Sequence, residues 1–317
     1  MITSSRIQNF PIMMFAIVMG LSGLTIVYQK ATLWLGFPNI IAASLVLLVT
    51  IVFIIIVTLY AMKIIFFFEE VKQEFAHPIR INFFAAASIS LLLLSIIYQD
   101  IHIGISACLW YMGAGLQTFL TFYTIRFWIT QNMEIVHSNP AWFIPIVGNV
   151  IAPIGGEHFA SPEILIYFFA VGIFFWIILL PIIVNRIIFH HQLAQKFLPT
   201  LFILIAPPAI GVISYLKITG HFDLMASILY SLGLFFTLLL IFMVKNFLKL
   251  QFFISWWAFT FPLAAITIAS LVAFHATQKL FYSYIATLLI VITTSVICFV
   301  GYKTLWYISK KEICIAE

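Results

Sequence analysis

The sequence contains very few charged residues, because only 8% of its 317 residues are Asp, Glu, Lys or Arg. A soluble domain carries about 25%, so this shortage excludes an ordinary soluble protein. Hydrophobic residues make up 64% of the chain and are grouped in long apolar runs, which are typical of membrane-spanning helices. The runs do not alternate apolar with polar residues, which excludes a transmembrane β-barrel. We therefore expect an all-α integral membrane protein.

The sequence also lacks the spacings that mark metal, redox and nucleotide sites. Its three cysteines, Cys108, Cys298 and Cys314, form no CxxC pair. No HExxH motif, phosphate-binding loop or Gly-rich dinucleotide fingerprint occurs. We therefore expect no metal, no cofactor and no enzymatic activity. We attribute the formal net charge of +5 to loop lysines rather than to a surface that binds nucleic acid.

The gaps between apolar runs divide the chain into ten predicted membrane spans within a single domain, residues 1–317. The spans lie at 11–29, 39–65, 81–98, 103–125, 140–156, 162–185, 199–216, 222–244, 252–274 and 281–307. Ten crossings place both termini on one side of the membrane. Twelve basic residues fall on that side and three fall on the other, Lys30, Lys217 and Lys279, which accounts for all 15. The positive-inside rule then predicts that both termini are cytoplasmic.

Proline distinguishes the odd-numbered spans from the even-numbered ones. A proline inside a helix removes a backbone donor and kinks the helix. In a membrane, the freed carbonyls are tolerated where neighbouring helices or water satisfy them. We therefore expect five helical hairpins, with kinked odd helices facing inward around a central pore and smooth even helices facing lipid. A packed bundle, or a transporter with a central site, fits the pattern equally well. Among the prolines of the odd spans are Pro11, Pro145, Pro153, Pro207, Pro208 and Pro262, and Pro78 precedes the third span. The exception among the even spans is Pro181, near the end of the sixth.

The predicted lumen is polar but uncharged, since none of the ten acidic residues lies deep in a span. A proton-coupled pump with a buried carboxylate is therefore disfavoured. Hydroxyls and amides make weak contacts that suit conduction, and glycines let the backbone approach the axis. The pore-lining candidates are Gly20, Ser22, Gly23, Ser88, Asn149, Ser214, Thr260 and Thr267. The alternative for each hydroxyl is a hydrogen bond to a carbonyl one turn back.

Two basic residues lie near the cytoplasmic ends of inner spans. Arg6 and Arg80 are candidates for raising the local anion concentration at the pore mouth. The alternative is that they set the topology and contact lipid headgroups.

Three segments resemble the tellurite-resistance and dicarboxylate transporter family. They are FEEVKQEFAHPIRINFF (68–84), NPAWFIPIVGNVIAP (139–153) and WWAFTFPLA (256–264). That family includes bacterial TehA, the yeast malate transporter and the plant guard-cell slow anion channels. The resemblance runs over essentially the whole chain, and the first segment is most similar to the bacterial branch.

The resemblance implies ten helices in five hairpins, a homotrimer with one pore in each protomer, and a phenylalanine on the ninth helix that blocks the pore. The matching residue is Phe261, and the following Pro262 is within the family pattern. A phenyl ring in an uncharged pore is a hydrophobic constriction that excludes water. We expect the kink at Pro262 to point this ring at the axis.

The resulting prediction is an anion channel of the bacterial inner membrane, with small inorganic or organic anions and membrane lipid as its partners. The alternative is a secondary transporter of C4-dicarboxylates or tellurite-like oxyanions, with or without proton coupling.

Overall fold

The computed structural model describes residues 6–314. Within that range, ten apolar helices follow the ten predicted spans, nine of them long enough to cross a membrane and one shorter. The largest difference is at the end of the first helix, predicted at residue 29 and observed at Leu35. The helices are α1 (Ile12–Leu35), α2 (Asn39–Phe66), α3 (Arg80–Tyr98), α4 (Ile103–Thr130), the shorter α5 (Pro140–Gly156), α6 (Pro162–Phe189), α7 (Gln195–Thr219), α8 (Leu224–Phe242), α9 (Ile254–Thr277) and α10 (Leu280–Ser309).

Burial separates the odd helices from the even ones. In α1, α3, α7 and α9, 72–83% of the most apolar stretch is buried, and Ile144–Gly156 of α5 is buried throughout. In the even helices, only 17–33% of that stretch is buried. Their exposed faces carry large apolar side chains, which suit contact with lipid rather than water. The chain is therefore a multi-pass membrane protein with inner odd helices and outer even helices, as predicted.

The five inner helices form a closed ring. Each packs beside the next inner helix along the chain, and α9 packs against α1. Each outer helix packs against the inner helix before it and also touches the next inner helix, α10 closing this outer layer against α1. The result is five successive helical hairpins arranged around one axis.

Every inner helix begins with a 3₁₀ segment. These segments are Ile12–Met14, Arg80–Phe84, Pro140–Phe143, Gln195–Ile205 and Ile254–Phe259. Runs of 3₁₀ helix longer than about four residues are uncommon. The change from 3₁₀ to α geometry occurs at a similar depth in all five inner helices, within the layer where the candidate site lies.

Pro262 occupies the first α-helical turn of α9 and not the middle of a helix. It is the third residue of the α-helical part, Thr260–Thr277. Proline is tolerated in the first turn of an α-helix, where its fixed φ suits the helical backbone. Pro145 and Pro207 stand at equivalent places in α5 and α7. Where a kink was predicted at Pro262, the structure therefore has a change from 3₁₀ to α-helical geometry. Pro153, in contrast, lies inside its helix.

Both ends of the described chain lie on the same side of the helix layer. Burial raises the pKa of the Cys314 thiol to about 11, and the nearby positive charges of Arg6 and Lys63 oppose that rise. Cys314 near the end of the chain is therefore close to Arg6 near its start. We call this side the termini side and the opposite one the far side.

Candidate functional site: an axial cavity lined by the five inner helices

A small cavity lies on the axis of the inner ring. Its volume is about 40 Å³, which is room for at most a few water molecules. The residues that line the cavity belong to the first turns of the inner helices. The cavity therefore lies in the half of the helix layer that is nearer the termini side. The lining residues are Met13, Ala16 and Met19 of α1, Phe83, Ala86 and Ile89 of α3, Ile144 and Val147 of α5, Ile203 and Ala206 of α7, and Ser255, Trp257, Ala258, Phe261 and Pro262 of α9. All five inner helices contribute, and the wall is almost wholly apolar.

The side chain of Phe261 lies at the far end of this cavity. The residue is only 4% exposed and is the second α-helical residue of α9, directly after the 3₁₀ segment. A Cβ atom added at Gly23 would lie 3.5 Å from Cδ2 of the Phe261 ring. Gly23 is one turn beyond the cavity-lining Met19, so the ring reaches past the cavity towards the far side.

Gly20 and Gly23 permit a close approach between α1 and α9. A Cβ atom at Gly20 would lie 2.1 Å from Oγ1 of Thr260, and one at Gly23 would lie 2.7 Å from Cβ of Ala264. Both separations are far below van der Waals contact. The two glycines therefore let the helices pack closely, and neither lines the cavity. Gly23 nevertheless adjoins the Phe261 ring.

Two of the predicted polar pore residues bond towards the outer helix α4. Ser88 Oγ donates to Oε1 of Gln117 at 2.6 Å. Asn149 Nδ2 donates to Oγ1 of Thr121 at 2.9 Å and to the carbonyl of Pro145. The structure thus places Ser88 and Asn149 in contacts between helices and not in the cavity wall.

Thr260 and Thr267 bond mainly within α9. Thr260 Oγ1 donates to the carbonyl of Trp257 at 2.7 Å, and Thr267 Oγ1 donates to the carbonyl of Leu263 at 2.7 Å. Thr267 also pairs with Thr293 of α10 at 2.9 Å. These bonds correspond to the alternative role of membrane hydroxyls, and neither residue lines the cavity.

Ser22 and Ser214 differ from the other polar candidates. Both side chains are fully buried, in α1 and α7. Within residues 6–314, neither hydroxyl has a hydrogen-bond partner. An unpaired buried hydroxyl costs about 1–3 kcal/mol. Neither serine is among the residues that line the axial cavity.

A larger cavity opens on the termini side of the axial cavity, and we call it the vestibule. Its volume is about 160 Å³. It shares Met13, Phe83 and Ser255 with the axial cavity. The rest of its lining is His77, Ile79, Arg80, Lys196, Phe197, Phe253 and Ile254. Arg80 therefore lines the vestibule, whereas Arg6 lines neither cavity.

His77 has a defined hydrogen-bonding state in the vestibule wall. Its Nδ1 accepts the backbone N–H groups of Ile79 at 3.1 Å and of Arg80 at 3.3 Å. Burial lowers the pKa of His77, and the electrostatic effect of the nearby Arg80, His137 and Lys196 lowers it further. At neutral pH the ring is therefore uncharged and carries its proton on Nε2.

A buried ion pair anchors the start of α1 beside the cavity. Lys63 Nζ and Glu74 Oε2 are 2.8 Å apart, and the two side chains are 5% and 4% exposed. Glu74 also accepts the backbone N–H of Ile12, and Lys63 donates to the carbonyl of Phe10, each at 2.8 Å. Glu74 lies on a short helix between α2 and α3, Phe68–Ala76, in the stretch that the predicted spans leave as a connecting loop.

Comparison with known protein families shows which family the chain belongs to. The sequence profile of the SLAC1 family, described as voltage-dependent anion channel, matches residues 9–305, from the start of α1 almost to the end of α10. The chain belongs to the SLAC1 family. This membership confirms the resemblance that the sequence segments indicated.

Relatives in the SLAC1 family come from plants, archaea and bacteria. The chain is 30% identical to the S-type anion channel SLAH3 of Arabidopsis thaliana over 271 residues, which are 83% of this chain and 43% of the plant protein. It is 26% identical to the uncharacterized transporter MJ0576 of Methanocaldococcus jannaschii, over 95% of this chain and 89% of that protein. It is 27% identical to the tellurite resistance protein TehA homolog of Haemophilus influenzae, over 82% and 80% of the two chains. The chain thus spans about half the length of the plant channels it matches.

Sequence reasoning missed His77 and Lys196 of the vestibule. The position of Lys196 in the chain could nevertheless have indicated it, because Lys196 lies at the termini-side start of α7 and Arg80 lies at the start of α3. Both residues lie in the 3₁₀ segment that precedes the α-helical part of an inner helix, and both line the vestibule.

Proposed function

We propose that this SLAC1-family protein is an anion channel in which anions pass along the axis of the inner ring and Phe261 closes the path. The observation that carries the proposal is the position of the Phe261 ring. It lies buried at the far end of a cavity to which all five inner helices contribute.

The apolar lining accounts for closure. A cavity of about 40 Å³ accommodates at most a few water molecules, and an anion that entered it would lose most of its hydration. A hydrophobic constriction of this kind stops ions by excluding water. Removing the Phe261 ring widens the path next to Gly23, where no side chain replaces it.

The same lining favours a channel over a proton-coupled transporter. Among the described residues that line the axial cavity, none is ionisable. The buried Lys63–Glu74 pair lies outside that lining and is already satisfied by hydrogen bonds. Coupled transport of an anion with protons needs a titratable group on the path, and this path offers weak polar contacts instead.

The proposal includes an assembly and a location. We place the protein in a bacterial inner membrane with the termini side in the cytoplasm, because twelve of the 15 basic residues lie on that side. The resemblance to channels with one pore in each protomer supports a homotrimer. Native mass spectrometry in detergent tests the assembly, and a monomer or dimer as the main species would contradict it.

Anion current through purified protein in planar bilayers tests the function. Wild type and Phe261→Ala are compared with chloride and nitrate as the permeant anions. Phe259→Ala is the matched control, because Phe259 is also buried in α9 but lies against Phe202 and Phe247 rather than in the cavity. We expect a large increase in current for Phe261→Ala alone, reversing at the anion equilibrium potential.

The alternative predicts a different result. A secondary transporter of C4-dicarboxylates or oxyanions gives no current in any of the three proteins. It instead gives saturable, pH-dependent uptake of labelled malate into proteoliposomes. That combination would overturn the channel proposal.

A further inference from the structure

Two inner helices carry a lysine at the far end of the face that lines the axial cavity. Lys30 of α1 follows the cavity-lining Met19 by eleven residues, and Lys217 of α7 follows the cavity-lining Ala206 by the same number. Both intervals lie within the α-helical parts of their helices. Eleven residues make just over three turns, so each lysine lies on the same helix face as the lining residue, about 16 Å further towards the far side. Both lysines therefore lie at the far mouth of the axial path.

Two carboxylates accompany these lysines. Glu157, the first residue after α5, forms an ion pair with Lys217. Asp100, which follows α3, lies within electrostatic range of Lys30, as do Glu157 and Lys217. The four residues come from the far ends of four inner helices and bring two positive and two negative charges together. We call them the far-mouth cluster.

The ion pair of the far-mouth cluster is open to water. The side chain of Lys217 is 40% exposed and that of Glu157 is 43% exposed. An ion pair this exposed is weak, because water weakens the attraction and two long side chains lose conformational entropy. Glu157 can therefore leave Lys217 at a small cost in free energy, unlike Glu74, which is buried with Lys63.

Lys30 is held at the far mouth by an aromatic ring. Its Nζ lies 5.3 Å from the centroid of the Trp34 ring, which is a cation–π contact. His275 of α9 stacks on the same ring with the two centroids 4.4 Å apart. Among residues 6–314, no carboxylate lies within ion-pair distance of Lys30. The ammonium group is thus fixed in position and keeps hydrogen-bond donors for an anion.

We infer that Lys30 and Lys217 form a binding site for a small inorganic anion, such as chloride or nitrate, and that Glu157 is a tethered carboxylate which this anion replaces. The inference rests on the proposed channel function, to which it adds a site at the far mouth. The exchange keeps the charge of the far-mouth cluster balanced, since one monovalent anion takes the place of one carboxylate. The return of Glu157 then releases the anion, and such weak binding suits conduction.

Chloride binding to the purified protein with Phe261 intact tests the site without requiring conduction. Broadening of the chloride NMR line during a chloride titration gives the dissociation constant. Because Glu157 competes with chloride, Glu157→Gln should lower that constant by about three- to tenfold. Adding Lys217→Gln or Lys30→Gln to this variant should remove the gain, since each takes away one of the two cations that bind the anion.

Two exposed charges of the far side provide matched controls. Glu163 lies in the first turn of α6, and Lys279 lies between α9 and α10. Both are exposed to solvent and neither belongs to the far-mouth cluster. Glu163→Gln and Lys279→Gln should each leave the dissociation constant within about twofold of wild type, because salt screens exposed charges that are distant from the site.

A conduction measurement connects the site to the path. In the Phe261→Ala background, Glu157→Gln should lower the far-side chloride concentration for half-maximal current by about three- to tenfold, as it does for binding. An unchanged concentration would show that the site does not lie on the path and would overturn the inference.

The outcomes separate the inference from the channel proposal. A chloride dissociation constant that is the same in wild type and Glu157→Gln would overturn the inference and leave the channel proposal intact. A gain of equal size in Glu163→Gln, or a loss in Lys279→Gln as large as in Lys217→Gln, would also overturn it, because the effect would then be one of general surface charge. No current in Phe261→Ala would contradict the proposed function itself.

Discussion

The ring of Phe261 on α9 faces Gly23 on α1, so that a Cβ atom at position 23 would lie 3.5 Å from Cδ2 of the ring and 2.7 Å from Cβ of Ala264. The backbone of α1 therefore forms the wall against which the proposed gate packs. The contact between α1 and α9 closes the inner ring, so one interface completes the ring and positions Phe261.

Gly23→Ala should destabilise the protein through overpacking. The new methyl group cannot fit beside Ala264 unless α1 moves away from α9, and such strain costs about 1–3 kcal/mol. We expect a lower midpoint of thermal unfolding in detergent, and substantial recovery in the double variant Gly23→Ala, Ala264→Gly. Gly115→Ala is the control, because nothing lies within 4 Å of its added Cβ. Equal midpoints for Gly23→Ala and Gly115→Ala would contradict the close packing.

Glu74→Gln should destabilise the protein more strongly. The substitution leaves the charge of Lys63 buried without its partner, and breaking a buried pair costs about 3–5 kcal/mol. Thermal unfolding in detergent measures the loss, and replacing both residues with methionine should restore much of it. Glu69→Gln is the control, because Glu69 pairs with Lys72 on the exposed surface, where a pair contributes about 0–1 kcal/mol. A similar small effect of both single substitutions would show that the buried pair does not anchor α1.

His77 predicts a pH dependence of stability. Its pKa is lower in the folded protein than the ordinary value of 6.5. Just below pH 6.5 the unfolded chain therefore binds more protons, and stability falls as pH falls from 6.5 to the native pKa. Above pH 6.5 this contribution is constant. Thermal midpoints of wild type and His77→Asn between pH 5 and 8 measure it, and an identical pH dependence in both proteins would contradict the assignment.

Ser22 and Ser214 should influence conduction without supporting the fold. Their hydroxyls have no partner within residues 6–314, so Ser22→Ala and Ser214→Ala should leave the thermal midpoint unchanged or slightly higher. In the Phe261→Ala background we expect each substitution to reduce the chloride conductance. Thr267→Val is the control, because the Thr267 hydroxyl is bonded to Leu263 and Thr293. Unchanged conductance in both serine variants would show that these hydroxyls do not face the path.

Hydropathy and proline placement were sufficient to predict the helices and their two layers. Apolar runs define spans because each crossing needs about 20 apolar residues, and α5 matches residues 140–156 as predicted. The inner position of the odd helices also followed from their prolines. The reason is different from the one expected, since Pro262, Pro145 and Pro207 stand in first turns and not at kinks within helices.

The side-chain contacts were harder to predict. Ser88 and Asn149 bond to α4 because a buried polar group takes the nearest partner, and the sequence does not show which helix that is. Glu74 was assigned to a loop because Phe68–Ala76 is too short and polar to be a span. The fold of this segment against α2 and α1 then buries the carboxylate with Lys63. Such contacts depend on how the segment that connects two helices folds back against them, and hydropathy does not predict this.

Single-channel conductance across a size series at position 261 tests the central claim most directly. The variants are Phe261→Ala, Phe261→Val and Phe261→Leu, compared with wild type under symmetric chloride. If the ring closes the path by filling it, conductance should be largest for alanine, decrease through valine and leucine, and be near zero for phenylalanine. A conductance that does not depend on the size of the side chain, or an alanine variant that stays closed, would contradict the account.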